Sequence, residues 1–146
     1  MPLLTFQAAI HARPPETAAG PSVEFRGLML PTVAVAPGHE AAFPCTFEEV
    51  AAALEQFPRL YFEPDGSFVW VAAQDEPPWQ LDGLLFDRNG RVLYLELKGT
   101  CPAARLDAVL AVLGRSPDGV LYQLLREGVL VDDATFRRYA AADAAK

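Results

Sequence analysis

Apolar and polar positions repeat with two different periods along this chain. Phe47, Val50, Leu54 and Phe57 recur every three or four residues, the stripe of a helix that packs on one side. Thr46 is placed as its N-cap, Glu49 completes a capping box, and Pro58 marks its stop. A second stripe, Leu106, Val109, Leu110 and Leu113, predicts a helix from Pro102 to Leu113, with Gly114 past its end. Asp132 can cap a last helix to about Ala142, with Phe136 and Tyr139 on its inner side.

Elsewhere the period is two or the run is short and apolar, which predicts strands. These are Leu3 to Ile10, then Val23 to Leu30 and Thr32 to Ala36 broken at Pro31, after a loop from Ala12 to Ser22. A first hairpin joins Arg59 to Glu63 with Ser67 to Ala73 through Pro64-Asp65-Gly66. A second joins Gln80 to Asp87 with Arg91 to Lys98 through Arg88-Asn89-Gly90. After the second helix, Ser116-Pro117-Asp118-Gly119 turns into Val120 to Leu125, which Val129 to Val131 extends or pairs with. From Thr46 the order is therefore helix, four strands, helix, strand. The expected fold class is α/β or α+β: a central mixed sheet between two helices, with an N-terminal β-rich extension that covers or lengthens it.

At 146 residues, 51% apolar and 21% charged, the composition is that of a chain that folds as one domain. The expected parts are strands and loops over 1–45, a core over 46–125, and a strand and helix over 126–146. No apolar run approaches a membrane span, and no basic segment followed by an apolar one opens the chain, so neither membrane nor export is expected. Cys45 and Cys101 are too few for a disulfide framework and lack zinc spacing, which points to a reduced, cytoplasmic setting. Cys101 precedes a helix whose dipole would lower a thiol pKa, but no histidine partner accompanies it. His11 and His39 lie in or beside loops without a metal-ligand spacing. The formal charge of −7 excludes a broadly basic nucleic-acid-binding surface and leaves only a local one. Trp70, Trp79, Tyr61 and Phe68 read as core or sheet-packing residues, with a binding surface as the alternative.

Candidate chemistry gathers on the second hairpin, where Asp82, Glu96 and Lys98 interrupt apolar strands. Lys98 and Lys146 are the only lysines among twelve Lys and Arg residues. Whether the carboxylates cooperate depends on register, because a one-residue slip moves a side chain to the other side of the sheet. A two-residue Asn89-Gly90 turn pairs Arg88 with Arg91, sets Asp82 opposite Leu97 and separates the carboxylates. A three-residue Arg88-Asn89-Gly90 loop, the favoured arrangement and the one the site needs, pairs Asp87 with Arg91 and sets Asp82 opposite Glu96, on a face shared with Leu84, Phe86, Val92, Tyr94 and Lys98. Neighbouring carboxylates need a neutralising cation. Magnesium, or manganese, supplies it through oxygen ligands and bridges to phosphate, with Asp82, Glu96 and the Leu97 carbonyl as candidate ligands. Lys98 could then orient or deprotonate an attacking water or stabilise the phosphate. The chain lacks a GxGxxG or GxxxxGK[ST] phosphate loop, HExxH and GxSxG.

Gln80-Leu81-Asp82 followed by Tyr94-Leu95-Glu96-Leu97-Lys98, on a hairpin between two helices, resembles the PD-(D/E)XK nuclease superfamily. It looks most like the small endonuclease-like and Holliday-junction-resolvase-like members, over roughly residues 46–125. The resemblance implies a restriction-endonuclease-like core, magnesium-dependent hydrolysis of nucleic-acid phosphodiesters or an inactive descendant of it, and metal binding by Asp82 and Glu96 with Lys98 assisting. It also implies a further ligand from the first helix, one of Glu48, Glu49 or Glu55, with Glu49 carried into the ligand set. Pro64-Asp65 has the literal PD spelling, but Gly66 makes it a turn. A second function fits the same composition: a small acidic regulatory or immunity-type module, without enzymatic activity, that recognises a protein partner through its aromatic hairpins.

Overall fold

A computed structural model describes residues 3–38 and 41–144. His39 and Lys146 lie outside them. The elements run β1 (Leu3–Ala12), β2 (Ala18–Phe25), β3 (Leu28–Ala34), α1 (Phe47–Leu54), β4 (Leu60–Phe62), β5 (Ser67–Val71), β6 (Gln80–Arg88), β7 (Arg91–Pro102), α2 (Ala103–Val112), β8 (Val120–Leu124), β9 (Val129–Val131) and α3 (Asp133–Ala144). The fold is α+β. Nine strands form one sheet in the order β2-β3-β9-β8-β1-β7-β6-β5-β4.

Every ladder between these strands is antiparallel, which corrects the expectation of a mixed sheet. The N-terminal segment is likewise not all extension. β1 lies between β7 and β8, pairing Ala8 with Leu97 on one edge and with Leu124 on the other. Because both neighbours are antiparallel to β1, β7 and β8 run in the same direction. They and α2 make a crossover unit whose gap β1 fills. Only β2 and β3 extend the sheet, and their break is at Arg26-Gly27, both with positive φ (54° and 74°), not at Pro31. Pro31 pairs with Ser22 inside the ladder. β3 meets its other neighbour only at Val33–Leu130, so the missing N–H of proline costs no second ladder bond.

The helices share one side of the sheet, which corrects the expected sheet between helices. On β6 and β7 the buried side chains are Leu81, Leu85, Leu95, Leu97 and Cys101, and α1 and α2 pack there through Val50, Leu54, Leu106 and Leu110. Leu97 shares its side with Ala8, and hence with Phe6. Phe6 meets Phe136 of α3 edge-on at 4.9 Å, while Phe136 stacks on Tyr122 at 3.9 Å. Gly83 belongs to this inner side for a steric reason: the Phe68 ring occupies the place a Cβ would take, 2.1 Å from its Cζ.

Both capping predictions hold. The Thr46 hydroxyl accepts from Glu49 N at 3.1 Å and the Glu49 carboxylate accepts from Thr46 N at 2.8 Å, while Asp132 accepts from Thr135 N at 2.9 Å. Among the described residues, no helix is long and apolar enough to cross a membrane.

Candidate functional site

The β6–β7 register is neither of the two expected from the loop. Asn89 and Gly90 both have positive φ (55° and 83°) and form a two-residue turn closed by Arg88 and Arg91, as a type I′ hairpin requires. The ladder then shifts: Asp87 faces Val92 but Phe86 faces Tyr94, leaving Leu93 as a bulge. The cause is legible in the apolar residues. Val92 and Leu95 are an odd number of positions apart, so an unbroken strand would send them to opposite sides, yet both are fully buried. The extra residue lets both point inward. On its other edge this end of β7 is held by the chain before α1, through Phe43 N to Val92 O (3.0 Å) and Val92 N to Cys45 O (3.1 Å).

The bulge also decides the site. Beyond it Asp82 pairs with Lys98 and Leu84 with Glu96, so Asp82, Leu84, Phe86, Tyr94, Glu96 and Lys98 share the outer side, and Val92 does not. Asp82 and Glu96 are diagonal neighbours rather than directly opposed. With Gln7, Leu84, Lys98 and Leu125 they line one shallow depression of about 160 Å³. Gln80 Nε2 donates to Asp82 Oδ1 at 3.0 Å. Among the described residues, no ion pair within 4.0 Å joins Lys98 to Asp82 or Glu96. The three charges are therefore grouped but do not neutralise one another by contact.

Past Gln7 and Lys98 the surface opens into a second depression of about 730 Å³, where β1 runs beyond the end of β8. Arg26, Arg126, Glu127 and Tyr139 line it. Arg26 is built into its wall: Nη1 donates to Thr5 O (2.9 Å) and Tyr139 O (2.8 Å), and the guanidinium lies over the Tyr139 ring. Arg126 is exposed in the β8–β9 turn. Sequence spacing does not bring Arg126 to Lys98; the insertion of β1 between their strands does.

Of the other predicted ligands, Glu49 lies elsewhere, while Leu97 borders the depression but turns its side chain into the core. Glu49 is on α1, across the sheet from Asp82 and Glu96, and its carboxylate is committed to the Thr46 cap. Glu48 and Glu55 belong to the same helix and its C-cap. Leu97 sits in ladders on both edges of β7, so its carbonyl lies in the plane of the sheet toward a neighbouring strand, and its side chain is 1% exposed in the core. Asp65 is a turn residue, its Oδ1 accepting from Ser67 N (3.0 Å) and Oγ (2.7 Å), bonds that hold its carboxyl below the usual range. Cys101 is buried, and burial pushes its thiol up to about 12, overriding the helix dipole. His11 is tied to Gln123 at 3.0 Å and lies against Tyr94; burial lowers its pKa, partly offset by the Gln123 bond.

Among the described residues, no group of three His, Cys, Asp or Glu is placed to hold a metal ion. An all-protein cage is thus not built there. Asp82 and Glu96, which line one depression, are the carboxylates there that could contribute to a site for a hard cation of the kind that takes one or two carboxylates and completes its shell with water and substrate phosphate.

The aromatics Trp70, Trp79, Tyr61 and Phe68 divide between the two expectations: Tyr61 is 61% exposed on β4, whereas the other three are buried.

These features define an α+β protein with an all-antiparallel sheet, helices on one side and a polar cluster on the other. No protein-family model, no curated protein and no solved structure matches the chain.

Proposed function

We propose that this protein is a metal-assisted phosphodiesterase acting on nucleic acid, in keeping with its resemblance to PD-(D/E)XK nucleases, and that it works on the outer side of β6 and β7. One observation carries the reading. The Leu93 bulge returns Asp82, Glu96 and Lys98 to a common side, in one depression, where an unbroken two-residue hairpin would have separated them.

Asp82 and Glu96 would hold magnesium or manganese, which when bound polarises the phosphate and its attacking water. Gln80 orients Asp82 through its amide. Lys98, directly across from Asp82, donates to the phosphate oxygens as their charge grows. A bond forms from the water oxygen to phosphorus as that water gives up a proton to solvent, the bond from phosphorus to the leaving sugar oxygen breaks, and that oxygen takes a proton from solvent. Arg126, across Lys98 in the adjoining depression, receives the neighbouring phosphate.

The test is cleavage of single- and double-stranded DNA and RNA with magnesium or manganese, by the wild type beside Lys98→Ala, Glu96→Gln and Asp82→Asn. All three positions are exposed or half-exposed, so folding should survive. Each variant is expected to lose about 100-fold or more in rate, the scale seen when one group that stabilises developing charge is removed. No cleavage of any substrate, or equal rates in all four proteins, would overturn the reading in favour of the acidic protein-binding module.

A further inference from the structure

Five outward side chains stand in one line across the sheet: Tyr61 on β4, Val69 on β5, Asp82 on β6, Lys98 on β7 and Gln7 on β1. Each is directly paired with the next. Strands lie about 4.8 Å apart, so Tyr61 is roughly 10 Å from Asp82 and 14 Å from Lys98 across the sheet. Tyr61 is 61% exposed and Val69 37%. The chain has four tyrosines. Tyr94 stacks on Phe86, Tyr122 on Phe136, and Tyr139 carries the Arg26 guanidinium. Among the described residues only Tyr61 has no ring contact and no hydrogen bond from its hydroxyl.

From this line we infer that the substrate is single-stranded: an unpaired base stacks on Tyr61 over Val69 while its strand's phosphate reaches Asp82 and Lys98. This rests on the reading of Asp82, Glu96 and Lys98 given above. Two physical arguments select a single strand over a duplex. Bases inside a duplex are stacked on one another and cannot lie on a side chain without being extruded. A duplex also presents one charge per about 1.7 Å, and proteins bind it by neutralising many phosphates. A chain of net charge −7, with Lys98 and Arg126 as the free cations bordering the site among the described residues, must draw affinity from a term that is not electrostatic. Base stacking on an exposed aromatic is that term, and it tolerates any base.

The experiment measures binding and cleavage together, using a labelled single-stranded oligonucleotide, the same strand in duplex, and the single strand with one abasic position moved along it. Wild type is compared with Tyr61→Ala and Tyr61→Phe, by fluorescence anisotropy in calcium and by cleavage in magnesium. The expected result is single-strand binding that weakens about ten-fold or more in Tyr61→Ala and is kept in Tyr61→Phe. Binding should also weaken at one abasic position. The salt slope for about two phosphate contacts should be shallow, near −1.4. Tyr61 is exposed, so Tyr61→Ala should remain folded, as circular dichroism would check. Cleavage by wild type with no change in Tyr61→Ala, or equal losses on duplex and single strand, overturns the inference and leaves the hydrolase reading standing. Tyr61-dependent single-strand binding without cleavage supports the stacking surface and overturns the hydrolase. Neither binding nor cleavage overturns both.

Discussion

Replacing Asp133 with alanine probes the polar network that fastens α3 to the sheet. Asp133 Oδ1 accepts from the Tyr122 hydroxyl at 2.7 Å and Oδ2 from Arg137 Nε at 2.8 Å, while Arg137 reaches on to Asp107 on α2 at 2.7 Å. Tyr122 is fully buried, so without Asp133 its hydroxyl has no acceptor and no water, a loss of about 1–3 kcal/mol. Arg137 retains Asp107 and is partly solvated, so losing its second carboxylate adds at most about 1 kcal/mol. Asp133 also opens α3, where a negative charge contributes about 0.3–1 kcal/mol. The expected cost is therefore about 2–4 kcal/mol, or roughly 6–12 °C in Tm for a domain of this size. Tyr122→Phe should cost less, about 1 kcal/mol, because Asp133 keeps Arg137 and no hydroxyl is stranded. The double variant should be less destabilised than the two singles added, by about 1 kcal/mol or more. Urea unfolding followed by tryptophan fluorescence measures all three. A cost below about 0.5 kcal/mol for Asp133→Ala, or strict additivity, would refute the idea that this buried pair anchors α3.

Two further outcomes follow from buried titratable groups. His11 is held neutral by burial, so its contribution is fully present above the unfolded histidine pKa of about 6.5 and is lost as pH falls through the lower folded value; His11→Gln should lose less stability than wild type between pH 7.5 and pH 5 in urea titrations. Cys101, its thiol pushed up to about 12, should resist iodoacetamide at pH 8 in the native protein while half-buried Cys45 reacts slowly, and mass spectrometry should find both alkylated only after unfolding.

Local rules explain what could be read from the residues alone. The capping box at Thr46 and Glu49, the Asp132 cap, the turn at Pro64-Asp65-Gly66 and the hairpin strands all depend on neighbours a few positions away, and they form as expected. What was not legible depends on distant partners. The central place of β1 is decided by Leu97 and Leu124. Pro31 looked like a break because its tolerance depends on how little of β3 is paired on the far edge. At the site, the residues allowed both a two-residue Asn89-Gly90 turn and the three-residue loop that the candidate site was expected to need; the two-residue turn forms, and neither loop alone gives the observed faces. The missing clue was the odd spacing of Val92 and Leu95, two buried residues that cannot share a side without a bulge. Glu49 has two competing uses in the sequence, cap and ligand, and the nearby backbone N–H of Thr46 claims it. Tyr61 looks like any strand aromatic until β4 proves to be the last strand of the sheet.

The place of β1 bears on how this chain is made. Thr5 and Thr100, whose hydroxyls meet at 3.1 Å, are 95 residues apart. At about 5–20 residues per second, the ribosome needs roughly 5–20 s after β1 to deliver its first partner, and longer for β8. Throughout that interval Phe6, Ala8 and Ile10, fully enclosed at the end, have no strand on either edge and no α3 above them. The nascent chain therefore carries an unclosed sticky strand until β7 and β8 have been made. Its yield in a cell should depend on whatever holds that strand until Leu124 emerges.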